Sequence, residues 1–138
     1  MRVESRARAR ALQALYAWDL RGERGGDLER VATQIWDDLG VGADERRIAD
    51  LLLRTAQQQL ADIDARITQV TTNWRLERLG VIDRSVLRLA AAELERGETP
   101  PRVVIREAIR LAERYGNPES ARFVNGVLDA LARKMGRL

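Results

Sequence analysis

The sequence predicts an all-α protein, and three observations lead to this fold class. Apolar residues recur at helical spacing over long stretches, with almost none of the alternation that strands show. Glycine and proline stand mostly between these stretches. Aromatic residues make up only 4% of the chain, so the core must consist mainly of Leu, Ile, Val and Ala, which suits packed helices. With 138 residues, the chain can form one ordinary domain or two small subdomains that share a core.

The N-terminal half is predicted to form three helices, over residues 4–20, 28–39 and 44–58. The glycine-rich segment 21–26 ends the first helix. Asp27 is a suitable N-cap for the second, because its side chain can accept a hydrogen bond from a backbone N–H that the helix leaves unpaired. The apolar spacing predicts that Leu39 and Leu51 face the core.

The C-terminal half is predicted to form the remaining helices. Residues 59–71 continue the apolar period of the third helix, which fits one long helix or two abutting helices equally well. After a break at 71–74, helices are predicted over 81–96, over 101–115, and from the Asn117-Pro118 pair to Lys134. Gly116 is predicted to end its helix in the left-handed conformation. Gly126 is predicted to allow a neighbouring helix to approach closely.

The absence of cysteine and histidine excludes several classes of functional site. The chain can form no disulfide and no Cys/His zinc site, and it has neither a cysteine nucleophile nor an imidazole base. No apolar run approaches the roughly 18 residues that a membrane span needs, and neither a P-loop nor a GxGxxG motif occurs. We therefore predict a cytoplasmic protein that is not an enzyme, with no catalytic residue, cofactor, metal site or membrane partner.

The formal net charge of +3 arises entirely in the first ten residues, which hold Arg2, Arg6, Arg8 and Arg10 against Glu4. A basic arm or helix start of this kind is typical of nucleic-acid binding. The positive end of the helix dipole disfavours basic residues at this position, so an anionic partner would compensate for them. A solvated, partly frayed helix start is the alternative, and the sequence leaves both interpretations open.

Further candidate contacts lie in later segments of the chain. Arginines recur every four residues at 102, 106, 110 and 114, which favours a solvated helix face over a second phosphate-contacting surface. Tyr16 and Phe123 each stand near basic residues, a pattern that allows stacking with an unpaired base. Taken alone, either aromatic ring is interpreted more simply as core packing.

Two segments together resemble the NusB family of bacterial transcription antitermination factors. The first is Arg6-Ala7-Arg8 leading into Gln13-Ala14-Leu15-Tyr16-Ala17-Trp18. The second begins with Ile82-Asp83-Arg84-Ser85-Val86-Leu87-Arg88-Leu89-Ala90 and continues to Phe123-Val124-Asn125-Gly126-Val127-Leu128-Asp129. The resemblance covers nearly the whole chain and is strongest from Ile82 to Asp129. In contrast, residues 22–45 and 57–80 carry little of it.

The resemblance implies about seven helices in two packed helical-bundle subdomains, which we place at residues 1–58 and 59–138. It also implies a function in transcription antitermination, chiefly on ribosomal RNA operons. The implied partners are a single-stranded boxA RNA element, ribosomal protein S10 (NusE) and the RNA polymerase antitermination complex. A helical protein-interaction or dimerisation module with incidental basic charge is the alternative, and a homodimer that masks the RNA surface would be compatible with both.

The basic start predicts RNA contacts for its arginines, and the resemblance implies the other site residues. For RNA, the predicted residues are Arg6, Arg8, Arg10, Gln13, Tyr16, Arg88, Glu119, Arg122 and Phe123. For S10 they are Asp83, Arg84 and Arg88. The family often has adjacent arginines in its basic start, whereas Ala7 and Ala9 interrupt the basic start of this chain. RNA binding is therefore expected either to be weaker or to depend more on Arg10.

Overall fold

The computed structural model describes residues 2–22, 27–71, 73 and 75–138, and the all-α prediction is confirmed for them. The helices are α1 (Val3–Leu20), α2 (Leu28–Leu39), α3 (Ala43–Gln58), α4 (Leu60–Val70), α5 (Val81–Arg96), α6 (Pro101–Tyr115) and α7 (Ser120–Lys134). A short 3-10 turn, Leu76–Arg78, precedes α5. The predicted breaks at 21–26 and 71–74 fall partly on residues 23–26, 72 and 74, which lie outside the described residues. No described helix is long and apolar enough to cross a membrane.

Local signals account for the helix boundaries. The Asp27 side chain accepts a hydrogen bond of 3.2 Å from the backbone N–H of Glu29, as predicted for the N-cap of α2. Gly97 ends α5 at a φ of +71°, a conformation that glycine adopts without steric cost. Residues 43–70 form two helices rather than one, because Gln59 leaves the helical conformation at φ −113° and ψ 19°.

The core lies around α1 and α5. Helix α1 packs against α2, α3 and α5, and α5 also packs against α4, α6 and α7. All ten residues from Ser85 to Leu94 are buried, which makes α5 the central helix. Contacts of α5 with α1 and α3 cross the predicted boundary between residues 58 and 59, so the two-subdomain division stays a prediction.

Two predicted core positions are wrong. Leu39 and Leu51 are exposed. Leu39 is the last residue of α2, where Gly40 turns the chain in the left-handed conformation. Leu51 lies at the edge of a buried α3 face that contains Leu52 and Leu53. In α2, the buried position is instead taken by Trp36.

The two glycine predictions are also wrong. Gly116 has an extended conformation with φ −94° and ψ −167°, not a left-handed one. A Cβ atom at this position would lie 2.8 Å from the carbonyl oxygen of Ala112, so close approach explains the glycine. Gly126 is exposed, and a Cβ atom there would meet nothing within 4 Å in the described parts of the chain. None of the described helices packs closely at Gly126.

Candidate nucleic-acid interface

The basic start of the chain is the first part of α1, because the helix already begins at Val3. Arg6 and Arg10 lie one turn apart and on the same side of α1. Both reach Glu45 on α3, with Nε–Oε distances of 2.6 Å for Arg6 and 3.4 Å for Arg10. The Arg6 side chain nevertheless remains 44% exposed. Arg6 and Arg10 therefore present positive charge to solvent, while their contacts with Glu45 fix the positions of their side chains.

Glu45 is the acidic member of this cluster. The hydrogen bond from Arg6 holds the pKa of the Glu45 carboxyl below its ordinary value, and a second one from Arg10 adds to the effect. Partial burial of the carboxyl opposes the shift. Glu45 is therefore ionised at neutral pH and neutralises part of the basic flank.

Arg8 points into the protein, so the predicted RNA contact is not supported at this position. Its Nε and Nη2 donate to the two carboxylate oxygens of Glu93 at 2.7 and 2.6 Å, and its Nη1 donates to Glu107 at 3.1 Å. Only 11% of the side chain is exposed. The hydrogen bonds to Glu93 raise the pKa of Arg8 above its ordinary value, so the guanidinium stays charged. We assign Arg8 a structural role.

A chain of polar contacts continues from the basic flank along α1. Arg10 Nη1 donates to the side-chain oxygen of Gln13 at 3.3 Å. The Gln13 amide reaches the hydroxyl of Tyr115 at 3.5 Å. Tyr16 lies one turn farther along α1 and is partly exposed. These contacts lead from the start of α1 to the end of α6, close to the loop that begins at Gly116.

An open groove of about 450 Å³ lies beside this loop, and we call it the Phe123 groove. Its lining includes Arg78, Asp83, Asn117, Glu119, Arg122 and Phe123. The groove thus brings together four predicted residues from two distant segments. Phe123 was predicted to contact RNA, and its ring is partly buried against the core and partly open to the groove. Arg78 and Asn117 were missed, because no local pattern distinguishes them from other loop residues.

Short-range hydrogen bonds fix the loop at the start of α7. The Asn117 side chain accepts from the backbone N–H of Glu119 at 2.8 Å. The backbone N–H of Asn117 donates to the Ser120 hydroxyl at 3.1 Å. The first turn of α7 then presents Arg122 and Phe123 to the groove. This arrangement holds a cation and an aromatic face side by side.

Asp83 contributes a carboxylate from the first turn of α5. Its Oδ1 atom is buried and has no hydrogen-bond partner among the described residues. Nowhere among the residues that the structure describes are three acidic side chains placed to hold a metal ion. A buried acceptor without a partner is costly, and the Asp83 side chain also lines the Phe123 groove.

Arg84 and Arg88 are turned into the protein, which does not support the predicted contacts with S10 and RNA. Arg84 Nε donates to Asp19 at 2.8 Å, and its Nη1 donates to the carbonyl of Leu79 at 3.1 Å. Arg88 forms a bidentate pair with Asp64 at 2.9 and 2.8 Å. The Arg88 side chain is only 5% exposed. These two arginines hold α5 against α1, α4 and the loop that lines the Phe123 groove.

Comparisons with known proteins agree over almost the full chain. A sequence model of the NusB family matches residues 5–133. The transcription antitermination protein NusB of Solibacter usitatus is 43% identical, over 98% of this chain and 92% of its own length. A crystal structure of antitermination factors NusB and NusE in complex with double-stranded RNA contains a similar chain, with a TM-score of 0.87 and 30% identity, covering 97% of this chain and 98% of that one. The NusB of T. maritima is similar with a TM-score of 0.84 and 36% identity, covering 95% of this chain and 91% of that one.

Proposed function

The chain belongs to the NusB family, and on this basis we propose that it is a non-enzymatic transcription antitermination factor. It binds single-stranded boxA-type RNA together with ribosomal protein S10 (NusE), chiefly on ribosomal RNA operons. The similar chain in a complex of NusB, NusE and double-stranded RNA supports RNA and S10 as partners, and the single-stranded boxA element is what the family resemblance implies. Antitermination acts on transcribing RNA polymerase, so the proposal places the protein in the cytoplasm.

The Phe123 groove is the observation that carries the proposed RNA site. The open part of the Phe123 ring offers a stacking surface for one unpaired base, and Arg122 beside it offers a positive charge for the backbone. The carboxylates of Asp83 and Glu119 are acceptors for the amino groups on base edges. A groove with these groups reads individual bases rather than a uniform backbone.

The flank of α1 completes the proposed site. Arg6 and Arg10 supply phosphate contacts, because their guanidinium groups are partly exposed. Gln13 and Tyr16 lie between these arginines and the C-terminal end of α6. We propose no direct RNA contact for Arg8 or Arg88, which instead hold the helices that carry the site.

S10 is proposed to bind near the start of α5. Asp83 lies in the first turn of α5, and its side chain lines the Phe123 groove, so the partner protein would meet a carboxylate at this edge. Arg84 supports this region from inside through its bonds to Asp19 and to Leu79. S10 and RNA would thus bind adjacent parts of one surface, which explains joint recognition.

Fluorescence anisotropy tests the proposal with a labelled boxA-like RNA, a scrambled RNA and a double-stranded RNA, each with and without S10. We expect the boxA-like RNA to bind most tightly and S10 to increase its affinity. About three to five phosphate contacts predict a slope of roughly −2 to −4 for the logarithm of affinity against the logarithm of salt concentration. Equal affinity for boxA-like and scrambled RNA in the presence of S10 would refute the proposal.

The stacking role of Phe123 has its own test. Phe123→Leu keeps an apolar side chain against the core but removes the aromatic face, so we expect RNA binding to weaken by about 1–3 kcal/mol while the fold and S10 binding are kept. Phe123→Tyr is the matched control, and it should bind RNA nearly as well as the parent protein. If Phe123→Leu binds boxA-like RNA as tightly as the parent, the ring does not stack on a base.

A further inference from the structure

A second groove lies between α1 and α6, and we call it the α1–α6 groove. Ser5 donates a hydrogen bond to Glu107 at one end, and Gln13 contacts Tyr115 at the other. Both pairs are separated by 102 residues, so the two helices flank the groove and run in the same direction. The groove has sections of about 610 and 70 Å³, which share Arg8, Glu107 and Arg110 in their lining.

Arginines outnumber carboxylates in this groove. Five arginines and two glutamates line its two sections: Arg2, Arg8, Arg106, Arg110, Arg114, Glu4 and Glu107. Arg8 pairs with the interior Glu93 as well as with Glu107, so these three groups together carry one negative charge. Among the described residues, no carboxylate forms an ion pair with Arg2 or Arg106. Arg110 contacts Glu107 at 3.3 Å but remains 65% exposed. The outer edge therefore presents arginines to solvent.

The arrangement of these arginines on α6 is unfavourable for the isolated helix. Residues four apart lie on neighbouring turns about 6 Å apart along the axis, and like charges at this spacing repel each other. Arg102 adds a further positive charge in the first turn, where the helix dipole favours acidic residues. A row of arginines with this spacing is suited to a partner that carries regularly repeated negative charges.

The α1–α6 groove is continuous with the proposed RNA site. At its far end, the Arg114 guanidinium lies 5.1 Å from the centre of the Tyr115 ring. Tyr115 in turn contacts Gln13 and precedes Asn117 of the Phe123 groove by two residues. A nucleic-acid strand that leaves the Phe123 groove on this side meets the arginines of α6 next.

We propose that the α1–α6 groove binds the phosphates of the RNA segment that flanks the boxA element, without reading its sequence. The inference rests on the proposed function, because it extends the same RNA strand beyond the base-reading site. The chemistry of the α1–α6 groove differs from that of the Phe123 groove, since guanidinium groups contact phosphates irrespective of the base. The groove would therefore add affinity for longer transcripts while leaving sequence preference to the Phe123 groove.

The test compares a boxA-like RNA of about twelve nucleotides with the same RNA extended by about eight unstructured nucleotides at its 5′ or its 3′ end. The variant is Arg106→Gln/Arg110→Gln. The control is Arg30→Gln/Arg47→Gln, which removes the same charge from exposed positions on α2 and α3. We expect the parent and the control to bind one of the extended RNAs several-fold more tightly than the short one.

The groove variant should bind the short RNA like the parent but show no gain from the extension. Its salt slope for the extended RNA should become shallower by about 0.7 for each phosphate that the substituted side chains no longer neutralise. The inference is overturned if neither extension improves binding, if the groove variant keeps the gain, or if the control is equally impaired. If the parent fails to bind the short RNA in the presence of S10, the proposed function fails and the inference with it.

Discussion

At the scale of single residues, the carboxylate partners of each arginine decide its role. Arg6 and Arg10 share one partly exposed glutamate and keep much of their charge at the surface. Arg8, two residues away from each, lies between the buried side chains of Glu93 and Glu107. Removing an exposed arginine costs little stability, whereas removing a buried one leaves carboxylates without compensation.

Arg8→Met is therefore expected to destabilise the protein by about 3–5 kcal/mol at neutral pH, measured by urea unfolding. The substitution removes the arginine that neutralises the buried Glu93, whereas Glu107 keeps its contact with Arg110. Arg6→Met is the control, with a destabilisation below about 1 kcal/mol. A destabilisation by Arg8→Met no larger than that by Arg6→Met would contradict the structural role.

Glu45→Gln is expected to strengthen RNA binding, because Glu45 competes with phosphate for Arg6 and Arg10. Asp44→Asn is the matched control, since it removes the same charge from the preceding, exposed residue. The measurement is the affinity and its salt slope, which should become steeper only for Glu45→Gln. Equal gains in both variants would mean that net charge, rather than the contacts of Glu45, sets the affinity.

The stability of Glu45→Gln should also depend on pH. The pKa of Glu45 is lowered in the folded protein, so the ion pairs stabilise the fold above the unfolded pKa, and this contribution is lost as the pH falls through the folded value. The parent is expected to be more stable than the variant at neutral pH, and the two should converge in acid. Urea unfolding at several pH values measures this convergence.

The sequence identified most residues of the site but not the direction of their side chains. Helical spacing places Arg6 and Arg10 on one side of α1 and Arg8 on another, but all three were predicted to contact RNA. The partners of Arg8 lie 85 and 99 residues away, a separation that helical periodicity does not address. Arg88 was likewise predicted at the surface, because its pairing with Asp64 depends on how α4 packs against α5.

At the scale of helices, the backbone explains two of three glycines and leaves the third without a structural role. Gly97 supplies the positive φ that ends α5, and Gly116 permits close approach to the turn before α7. Gly126 has neither role, since it lies in α7 with free space around its Cβ position. Glycine in the middle of a helix costs backbone entropy that alanine does not.

Gly126→Ala is therefore expected to stabilise the protein by about 0.5–1 kcal/mol. Gly97→Ala should destabilise it by about 1–2 kcal/mol, because alanine in the left-handed conformation brings Cβ too close to the following carbonyl. Urea unfolding of both variants against the parent measures the two effects. Destabilisation by Gly126→Ala would contradict the free space around the Cβ position of Gly126.

Helix positions were predicted well because their signals are local. The ends of α2 and α5 match the prediction, since Asp27, Gly40 and Gly97 act within one turn of the boundary. The buried face of each helix was predicted less well. Leu39 and Leu51 fit an apolar spacing but are exposed, because Leu39 ends its helix and Leu51 lies at the edge of the buried face of α3.

At the scale of the whole molecule, ion pairs join the segments that were predicted to form separate subdomains. Arg8 of α1 pairs with Glu93 of α5, and Arg84 of α5 pairs with Asp19 of α1. The basic start is therefore not a removable arm. Deleting residues 1–8 would remove the partner of Glu93 as well as Arg6, so single substitutions are needed to separate RNA binding from folding.

These connections predict that residues 1–58 and 59–138 unfold together. In a Trp74→Phe background, tryptophan fluorescence reports only Trp18 and Trp36, which lie in the first segment and are buried. Far-UV circular dichroism reports the helices of both segments. Because α5 contacts helices on both sides of the boundary, the two signals should give the same urea midpoint and the same m-value. A fluorescence transition at a clearly different urea concentration would show that the two segments unfold independently. The long-range ion pairs would then be too weak to couple their unfolding.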